Sequence, residues 1–525
     1  MPPKVTTSQP WRRRRNDLTV PFRPPVLYHD RETMRWFART LAIALLPAAC
    51  GSPPPERARL AYQHELVTLD PHNHNDSTTG TLLSAIYEPL VALDPEAGPQ
   101  PRVAVSWDNP SPTLWRFRLR PGVLFHDGRP VSADDVVATF KRVRFDIGLT
   151  VATYMDIVEE VRQVEGDPLV VEVLTLAPTP LLLHRIGMVA IAPQFFDPQR
   201  PIGTGPYRWD SGRERGPIVL KRWDRYWGVP APMAEIEVTF VPVGERLEAA
   251  LRESRLDVMS GVTLDYLRTR PLPRGWDVVE IPTLGTTMLG INVTKPLLVD
   301  PRVREAIELA IDPEAMTKHA FPERGGSAAW TFLPARVFGT DPAQRRQPPD
   351  RERARRLLAE AGVPPGSRFS LLVLAIDQRA VQELVAQLAA VGIVAEPTQA
   401  SYELSYRRMM EADTELFAFG WNFRIADPSD FLDSMVHSRT TERRLGLQNG
   451  SGYANPAVDA AIEALSQEAD PARRLRLLAE VMAAIGRDRP YLPLYHHARF
   501  ALVRRPFRLG LRAGLWALPQ EIYAE

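Results

Sequence analysis

The stretch PIGTGPYRW at residues 201–209 has glycines spaced as in a phosphate-binding loop. Such a loop turns backbone N–H groups toward the anion where a helix begins, and its glycine run usually ends in a lysine and a hydroxyl residue. Here Pro206 follows the Gly-Thr-Gly run at 203–205, and proline has no N–H to donate. Two aromatic residues then alternate as in a strand. The pattern therefore gives little support to a phosphate loop and leaves a structural corner as the alternative.

The remaining patterns give little sign of catalysis. The sequence has no HExxH zinc motif, no GxSxG nucleophile elbow, no P-loop lysine and no Rossmann glycine fingerprint after a strand. In PHNHND at 71–76, His72 and His74 stand beside Asp76, but no third ligand follows at a known spacing. We predict a polar loop there, with His72 and His74 as the candidates if a metal were bound. We expect no cofactor, no metal site and no catalytic residue.

The composition is that of a globular protein without a charge excess. The 525 residues carry a formal net charge of +1, and 24% are charged, which favours neither a nucleic-acid groove nor an acidic tail. A chain of this length is expected to form two or more folding units. It has one cysteine, Cys50, so neither an internal disulfide nor a cysteine-based metal site is possible.

The segment 34–50 has the three parts of an export signal. Basic residues follow Met34, an apolar run covers 40–46, and small residues lead to Cys50. The apolar run is too short to span a bilayer as a stable helix. The ending LPAACGS resembles the lipobox of a bacterial lipoprotein, so we predict lipidation at Cys50 and a membrane anchor. A chance cysteine in an ordinary signal peptide is the alternative.

Two flanking segments have no hydrophobic period. Residues 1–33 are rich in arginine and proline and precede the signal. Since export signals are normally N-terminal, we expect either a non-native extension, with translation starting at Met34, or a disordered arm. The segment 51–59, with three consecutive prolines, is expected to be an extended tether.

Capping signals and hydrophobic periods predict the regular elements. Ser132 and Asp135 form a capping-box pattern ahead of a helix. An Asp or Asn directly before proline marks four further helix starts, at Asp300-Pro301, Asp312-Pro313, Asn455-Pro456 and Asp470-Pro471. Strand-like runs at 368–376, 392–396 and 415–421 lie between helices, and this alternation predicts βαβ units in an α/β lobe.

An ordered set of stretches identifies a family. The stretches are LDP at 69–71, YEPLV at 87–91, WRFRLRPGVLFHDGRPVSADDVV at 115–137, PIGTGPY at 201–207, LKRWDRYWG at 220–228, LGINVTKPLLVDPRVREAIELAID at 289–312, LLAEAG at 357–362, ADPSDFL at 426–432, GYANPAVD at 452–459 and RPYLPLY at 489–495. Together they resemble the bacterial extracellular solute-binding proteins of family 5, the peptide and nickel receptors of ABC importers. Each stretch is weakly diagnostic alone, but their order is specific. The resemblance covers the chain from about residue 60 to its end, and it implies that GTGPY at 203–207 is a structural corner whose glycines supply backbone angles that other residues resist.

The resemblance implies an α/β protein with the two-lobe, type II periplasmic-binding-protein fold. It places the first lobe at 60–290, with an extra subdomain inserted at about 90–200, and the second lobe at 291–497. The last segment, 498–525, is expected to return to the first lobe. In this family the ligand lies between the lobes, which close around it at a hinge.

The resemblance also implies a receptor in the periplasm or at the cell surface that binds a small solute such as a peptide. The loaded monomer would dock on an ABC permease whose associated ATPase supplies the energy, so we expect no enzyme activity and no nucleic-acid partner. One alternative is a receptor for nickel or another metal chelate within the same family. Two others are an exported α/β hydrolase and a signalling or chaperone role for the same fold.

The segment GWNFRIADPSDF at 420–431 holds the most informative ligand clue. In peptide-binding members of the family, an aspartate three residues after the tryptophan pairs with the α-amino group of the peptide. Here Trp421 and Asp427 keep the family spacing, but Arg424 occupies the anchoring position. The ligand-binding candidates are thus Arg424, Trp421, Asn422 and Asp427, with Tyr62, His72 and His74 as cleft-wall residues by resemblance.

An arginine at this position changes the expected ligand. A cation repels an ammonium group and attracts a carboxylate or a phosphate. We therefore predict that Arg424 binds a solute that lacks an exposed N-terminal amine or carries an acidic group. The alternative is that Arg424 points to solvent or pairs with Asp427 or Asp430.

Overall fold

The computed structural model describes residues 55–525 apart from 75, 95–97, 147, 214–215, 282, 323–324, 342, 344, 375, 401, 424 and 512–515. The predicted signal peptide, the lipidation site Cys50 and the anchoring residue Arg424 lie outside the described residues. The strands are β1 Arg57–Tyr62, β2 Val91–Asp94, β3 Gly98–Pro101, β4 Ala104–Ser111, β5 Leu114–Leu119, β6 Val158–Val164, β7 Asp167–Thr175, β8 Tyr207–Gly212, β9 Ile218–Arg222, β10 Glu235–Phe240, β11 Val258–Val262, β12 Trp276–Ile281, β13 Gly285–Ile291, β14 Gly326–Ala328, β15 Ser367–Val373, β16 Ile393–Gln399, β17 Leu416–Asn422, β18 Tyr491–His497, β19 Arg499–Arg504, β20 Phe507–Leu509 and β21 Ile522–Ala524. The helices are α1 Ser77–Leu83, α2 Ala133–Phe145, α3 Leu182–Ile186, α4 Glu245–Arg252, α5 Leu264–Thr269, α6 Pro301–Ala310, α7 Pro313–Ala320, α8 Arg351–Glu360, α9 Gln378–Ala389, α10 Tyr402–Met410, α11 Ser429–Phe431, α12 Pro456–Gln467 and α13 Pro471–Asp488.

The first lobe is built on a seven-stranded mixed sheet with the strand order β12-β19-β11-β1-β10-β9-β8. Its central strand β1 pairs in parallel with β10 and β11. Side chains alternate along β1, so Leu60 and Tyr62 pack into one apolar cluster while Ala61 packs into another on the opposite face. Burial on both faces is typical of the central strand of an α/β sheet.

A four-stranded antiparallel sheet, with the order β4-β5-β7-β6, lies within the segment 90–200. Helix α2 packs its apolar face on this sheet and shares one hydrophobic core with it. The helix begins at the predicted capping box, where the Ser132 N–H donates to the Asp135 carboxylate at 2.9 Å. The cap fixes where the helix starts and therefore which face it presents to the sheet.

The second lobe is built on a six-stranded sheet with the order β14-β18-β13-β17-β15-β16. Strand β15 runs parallel to both β16 and β17, and α9 and α10 make the crossovers, so the predicted βαβ units are confirmed. All four predicted Asp-Pro and Asn-Pro helix starts are confirmed at α6, α7, α12 and α13, where the Asp or Asn side chain accepts from a helix N–H. The proline fits because its position needs no intrahelical donor.

The chain passes between the two large sheets twice. Strand β12 ends at Ile281 and β13 begins at Gly285, while β18 ends at His497 directly before β19. The strands put the first crossing a few residues before the boundary at 290 that the sequence predicted, because β13 bonds into the second sheet. The Thr283 hydroxyl donates to the His497 carbonyl, so the two crossings touch. Short paired connections of this kind can act as a hinge.

Candidate functional site

A cavity of about 790 Å³ lies where the first lobe meets the ends of two second-lobe strands. Its first-lobe wall comes from helix α1, the segment 84–93 and the loop 226–232. Leu284, just before β13, and Ala426, just after β17, supply the second-lobe side. Small-molecule sites have volumes in this range, so the cavity is the candidate ligand site.

The GTGPY corner holds the first-lobe wall in place and leads into β8. The Gly205 N–H donates to the Ile86 carbonyl at 2.8 Å, and the Tyr207 N–H donates to the Ala85 carbonyl at 3.0 Å. A Cβ on Gly203 or Gly205 would lie 2.1 or 2.4 Å from these backbone oxygens. The predicted corner is confirmed, but the predicted reason is wrong, because neither glycine has a positive φ. The glycines are needed because two backbones approach closely there.

Glu88 is a buried carboxylate of this wall. It accepts hydrogen bonds from the hydroxyls of Thr204 at 3.1 Å and Tyr226 at 2.7 Å, and from the indole N–H of Trp227 at 2.8 Å. Burial raises its pKa, and these donors together with the charge of Arg102 partly oppose that rise. Because donors of the protein already occupy the carboxylate, Glu88 orders the wall.

Two other charged side chains of the wall have hydrogen-bonding capacity for a solute. Asp76 caps helix α1 through Oδ1, which accepts from the Thr79 N–H at 2.8 Å. Its Oδ2 is buried and has no hydrogen-bond partner among the described residues. Arg102 lines the same cavity and is half-buried. The wall thus offers an acceptor for a positive or polar group and a donor for a negative group.

His72 lies behind the wall, inside the first lobe. Its ring is buried beside the ion pair of Asp70 with Arg142, and its Nε2 lies 2.8 Å from the carbonyl oxygen of Ala190. Burial lowers the pKa of His72 to about 4, so the ring is neutral at physiological pH. These contacts tie the PHNHND loop to helix α2 and leave His72 with a structural role in this arrangement.

The other two predicted first-lobe residues lie in different surroundings. His74 lines the cavity. Tyr62 is buried at the end of β1, where its hydroxyl donates to the Ala517 carbonyl at 2.7 Å and burial raises its pKa. Among the described residues, no three His, Cys, Asp or Glu side chains gather as metal ligands would. The structure therefore brings His74 to the cavity wall and keeps Tyr62 in the core.

Trp421 and Asn422 end strand β17 close to the second-lobe side of the cavity. They lie opposite Thr286 and Gly285 of β13. The Trp421 ring packs edge-on against Phe431, with ring centroids 5.6 Å apart. Its indole N–H is buried and has no hydrogen-bond partner within the described part of the chain. Neither Trp421 nor Asn422 lines the cavity itself, whereas Ala426, which follows a few positions later, does.

Asp427 is held by the protein itself. Its carboxylate accepts two hydrogen bonds from the Arg474 guanidinium, at 2.6 and 2.9 Å, and one from the Ser429 hydroxyl at 2.7 Å. Both charged side chains are almost fully buried. The Arg474 guanidinium also stacks over the Phe338 ring at 4.6 Å. A carboxylate with these partners positions the segment after β17, and Arg474 carried no sequence motif that would have paired it with Asp427.

Two ion pairs join the first-lobe segments to the second lobe. Arg185 of α3 lies 3.6 Å from Asp433, and Asp156 lies 3.8 Å from Arg444. Burial raises the pKa of Asp433 to about 6, because the nearby Arg185 charge offsets only part of the lost hydration. These contacts are made only while the two lobes are close together.

Within the described part of the chain, no helix combines the length and the apolar character needed to cross a bilayer.

Comparison of the sequence with known protein families identifies the family of this chain. The model of the bacterial extracellular solute-binding proteins, family 5, matches residues 98–443. The chain belongs to this family. As a family 5 protein it is an extracytoplasmic substrate-binding protein of an ABC importer.

Relatives and solved structures agree with this membership. The glutathione-binding protein GsiB of Salmonella paratyphi A is 25% identical over 495 residues, which cover 88% of this chain and 93% of GsiB. The periplasmic binding protein DppA of Helicobacter pylori, solved with the peptide STSA, has a TM-score of 0.74 at 22% identity, covering 89% of this chain and 98% of DppA. NikZ of Campylobacter jejuni, solved with Ni(L-His), has a TM-score of 0.73 at 17% identity, covering 88% and 100%. At these identities the structural matches show the type II periplasmic-binding-protein fold.

Sequence reasoning assigned no ligand role to several residues of the cavity wall. Tyr87 and Glu88 stand in the YEPLV stretch, and Tyr226 and Trp227 stand in LKRWDRYWG. Both stretches contributed to the family resemblance, so the sequence marked them as family features without marking them as ligand contacts. Their closeness in space could not be inferred, because the Glu88–Trp227 hydrogen bond joins residues 139 positions apart.

Proposed function

We propose that this family 5 protein binds a small peptide or peptide-like solute that carries an acidic group. The solute would lie in the cavity of about 790 Å³ between the lobes, and this cavity is the observation that carries the proposal. Its wall combines aromatic and aliphatic surface with a few polar groups, which suits a short peptide with side chains of mixed character.

The charges of the wall support a solute that bears both signs. Asp76 Oδ2 can accept from an ammonium or amide N–H, and Arg102 can donate to a carboxylate. Arg424, at the position that holds the anchoring aspartate in peptide-binding relatives, would add a second contact for an acidic group. Asp427 is already engaged by Arg474, which supports Arg424 acting on the ligand instead of pairing with Asp427.

The role we infer around this site is capture and delivery. The closed, loaded monomer would dock on an ABC permease with its ATPase, the lipid on Cys50 would keep the protein at the membrane, and no reaction would be catalysed. Native mass spectrometry of the protein from its own organism should detect lipidation at Cys50 and any retained solute. Unlipidated protein, or turnover of ester or peptide substrates, would refute the corresponding part.

Calorimetry tests the ligand class. Protein stripped of bound solute would be titrated with glutathione, the peptide STSA and Ni(L-His) as separate probes. We expect heat of binding from a peptide probe with an acidic group, and loss of at least tenfold in affinity in Arg424→Asp and in Arg102→Gln. Arg368→Asp, an exposed arginine on β15, is the matched control and should bind as the wild type does. Unchanged affinity in Arg424→Asp would remove the anchoring role, and binding of Ni(L-His) alone would favour the metal-chelate receptor.

A further inference from the structure

A second cavity, of about 530 Å³, lies wholly inside the second lobe. Its wall comes from Glu308, from residues 330–333, 339–341 and 345–347, and from several residues between 479 and 493. The described residues of this wall include none of those around the interlobe cavity. Apolar and aromatic side chains form most of the surface, among them Trp330, Phe332 and Met482. The proposed transport function uses no part of this cavity.

Arg346 stands in the wall with unused hydrogen-bond donors. Its backbone N–H donates to the Trp330 carbonyl at 3.0 Å, and its Nη2 donates to the Ile311 carbonyl. Its Nε and Nη1 are buried, and among the described residues neither has a hydrogen-bond partner. The guanidinium carbon lies 6.0 Å from the centre of the Trp330 ring. Burial lowers the pKa of Arg346 to about 10, which still leaves it charged at neutral pH.

The other buried charges of this wall compensate one another. Arg489 donates to Glu308 at 2.6 Å and to the Arg487 carbonyl at 2.7 Å. Asp341 and Arg345 are exposed at the rim. Arg346 therefore contributes a buried positive charge with no hydrogen-bonded carboxylate beside it among the described residues. A buried cation with unmade hydrogen bonds is costly, and an anion that pairs with it lowers that cost.

We propose that this cavity binds a small monoanion with an apolar body, such as an aromatic carboxylate. The carboxylate accepts from the unpartnered N–H groups of Arg346, and the apolar body packs beside Trp330, Phe332 and Met482. A monoanion fits because Arg346 has unmade hydrogen bonds for one carboxylate, while the charges of Glu308 and Asp312 act on the same guanidinium and disfavour a second negative charge. The site is separate from the transported solute and does not depend on the identity of that solute.

Gly486 provides a way to close the cavity. It lies in helix α13 and lines the wall, and a Cβ added there would meet no atom within 4 Å. Gly486→Leu therefore adds a large side chain at the cavity wall without a clash at its Cβ, and it also improves helix propensity. Gly216→Leu is the matched control, because an added Cβ at Gly216 is also free of neighbours and Gly216 lines neither cavity.

The test is calorimetric titration of the full chain with benzoate, with neutral benzamide as the comparison. We expect saturable benzoate binding to the wild type and to Gly216→Leu. Benzamide should bind both proteins at least about tenfold more weakly than benzoate does. Gly486→Leu should lose benzoate binding with its thermal midpoint unchanged or raised, and Arg346→Met should lose it as well. If Arg346→Met does not fold, the benzamide comparison and Gly486→Leu decide.

Three results would overturn the proposal. Equal affinity for benzoate and benzamide would remove Arg346 as the anion partner. Retained binding in Gly486→Leu would place benzoate elsewhere, for example in the interlobe cavity. No saturable benzoate binding to the folded wild type would assign the cavity to water. The proposed transport function fails separately, through the peptide titrations.

Discussion

Glu88 in the first lobe and Asp427 in the second are both buried carboxylates close to the interlobe cavity, at 5% and 2% exposure. Neutral donors hold Glu88, whereas Asp427 is paired with the buried Arg474. The first arrangement costs hydration without a bonded counter-charge, whereas the second is an ion pair with two hydrogen bonds. An aspartate in a family binding motif can thus already be used by the protein, so its presence in the sequence does not make it a ligand contact.

Removal of the cation that pairs with Asp427 should have the largest effect. Arg474→Met leaves a buried carboxylate without its cation, so we expect a loss of about 3–5 kcal/mol in the free energy of unfolding. Denaturant unfolding measures it. Arg473→Met, which removes an exposed arginine next along α13, should cost less than about 1 kcal/mol.

The double variant Arg474→Met with Asp427→Asn tests whether the unpaired Asp427 carboxylate causes the loss of stability. Removing both charges should restore much of the lost stability, because an amide is easier to bury than an unpaired carboxylate. If the single variant Arg474→Met unfolds like the wild type, Asp427 is not held as described.

The corresponding change in the first lobe should cost less. Glu88→Ala removes the acceptor of the Thr204 hydroxyl and of the Trp227 indole N–H, and we expect a loss of about 2–3 kcal/mol. Glu88→Gln retains an acceptor and should lose about 1 kcal/mol. Denaturant unfolding checks both variants, and equal losses in the two would contradict the role of the hydrogen bonds.

The raised pKa of Glu88 predicts how the stability of the protein changes with pH. Its folded pKa is raised above the unfolded value, so it contributes stability below the unfolded pKa that is lost as pH rises through the folded pKa. The wild type should therefore lose stability relative to Glu88→Gln as the pH rises above about 4.5, the ordinary pKa of a glutamate. A constant difference between pH 4 and pH 8 would contradict the raised pKa.

The corner that supplies Thr204 to Glu88 can be broken without touching a charge. Gly205→Ala would place a Cβ 2.4 Å from the Ala85 carbonyl oxygen, so we expect a loss of about 1–3 kcal/mol. Gly216→Ala, where an added Cβ meets no neighbour, should change stability by less than about 0.5 kcal/mol. Thermal or denaturant unfolding compares the two, and a neutral Gly205→Ala would refute the close backbone contact.

The smallest effect is expected at the ion pair between Arg185 and Asp433. Burial raises the pKa of Asp433 to about 6, and the negative charge of Asp427 adds to this rise. The charges of Arg185 and His437 lower the pKa but offset only part of the rise. If lobe opening hydrates Asp433, closure takes up a proton, so closure gains at a pH below 6 and loses that gain as the pH rises through 6. Solute affinity should therefore fall, by less than about tenfold, as the pH rises from 5 to 7.5. Asp433→Asn should remove this dependence of affinity on pH. Asp413→Asn, at an exposed site, is the control, and an unchanged profile in Asp433→Asn would exclude the coupling.

The fold was predictable to the extent that its signals are local. The four Asp-Pro and Asn-Pro caps and the capping box at Ser132 are satisfied within a few residues, so sequence spacing is enough to find them. The site was less predictable because its contacts are distant, as the Asp427–Arg474 pair shows with a separation of 47 positions. The glycines at 203 and 205 were found for the wrong reason, since a close contact with residues 85–86 leaves no mark on local spacing.

Small-angle X-ray scattering of the stripped full chain, with and without the peptide that saturates it in calorimetry, measures whether the lobes close on a solute. Two lobes that close on a solute should show a smaller radius of gyration when loaded, and Arg424→Asp should keep the larger value at the same peptide concentration. Superimposable curves for the empty and the calorimetrically saturated wild type would contradict capture by lobe closure.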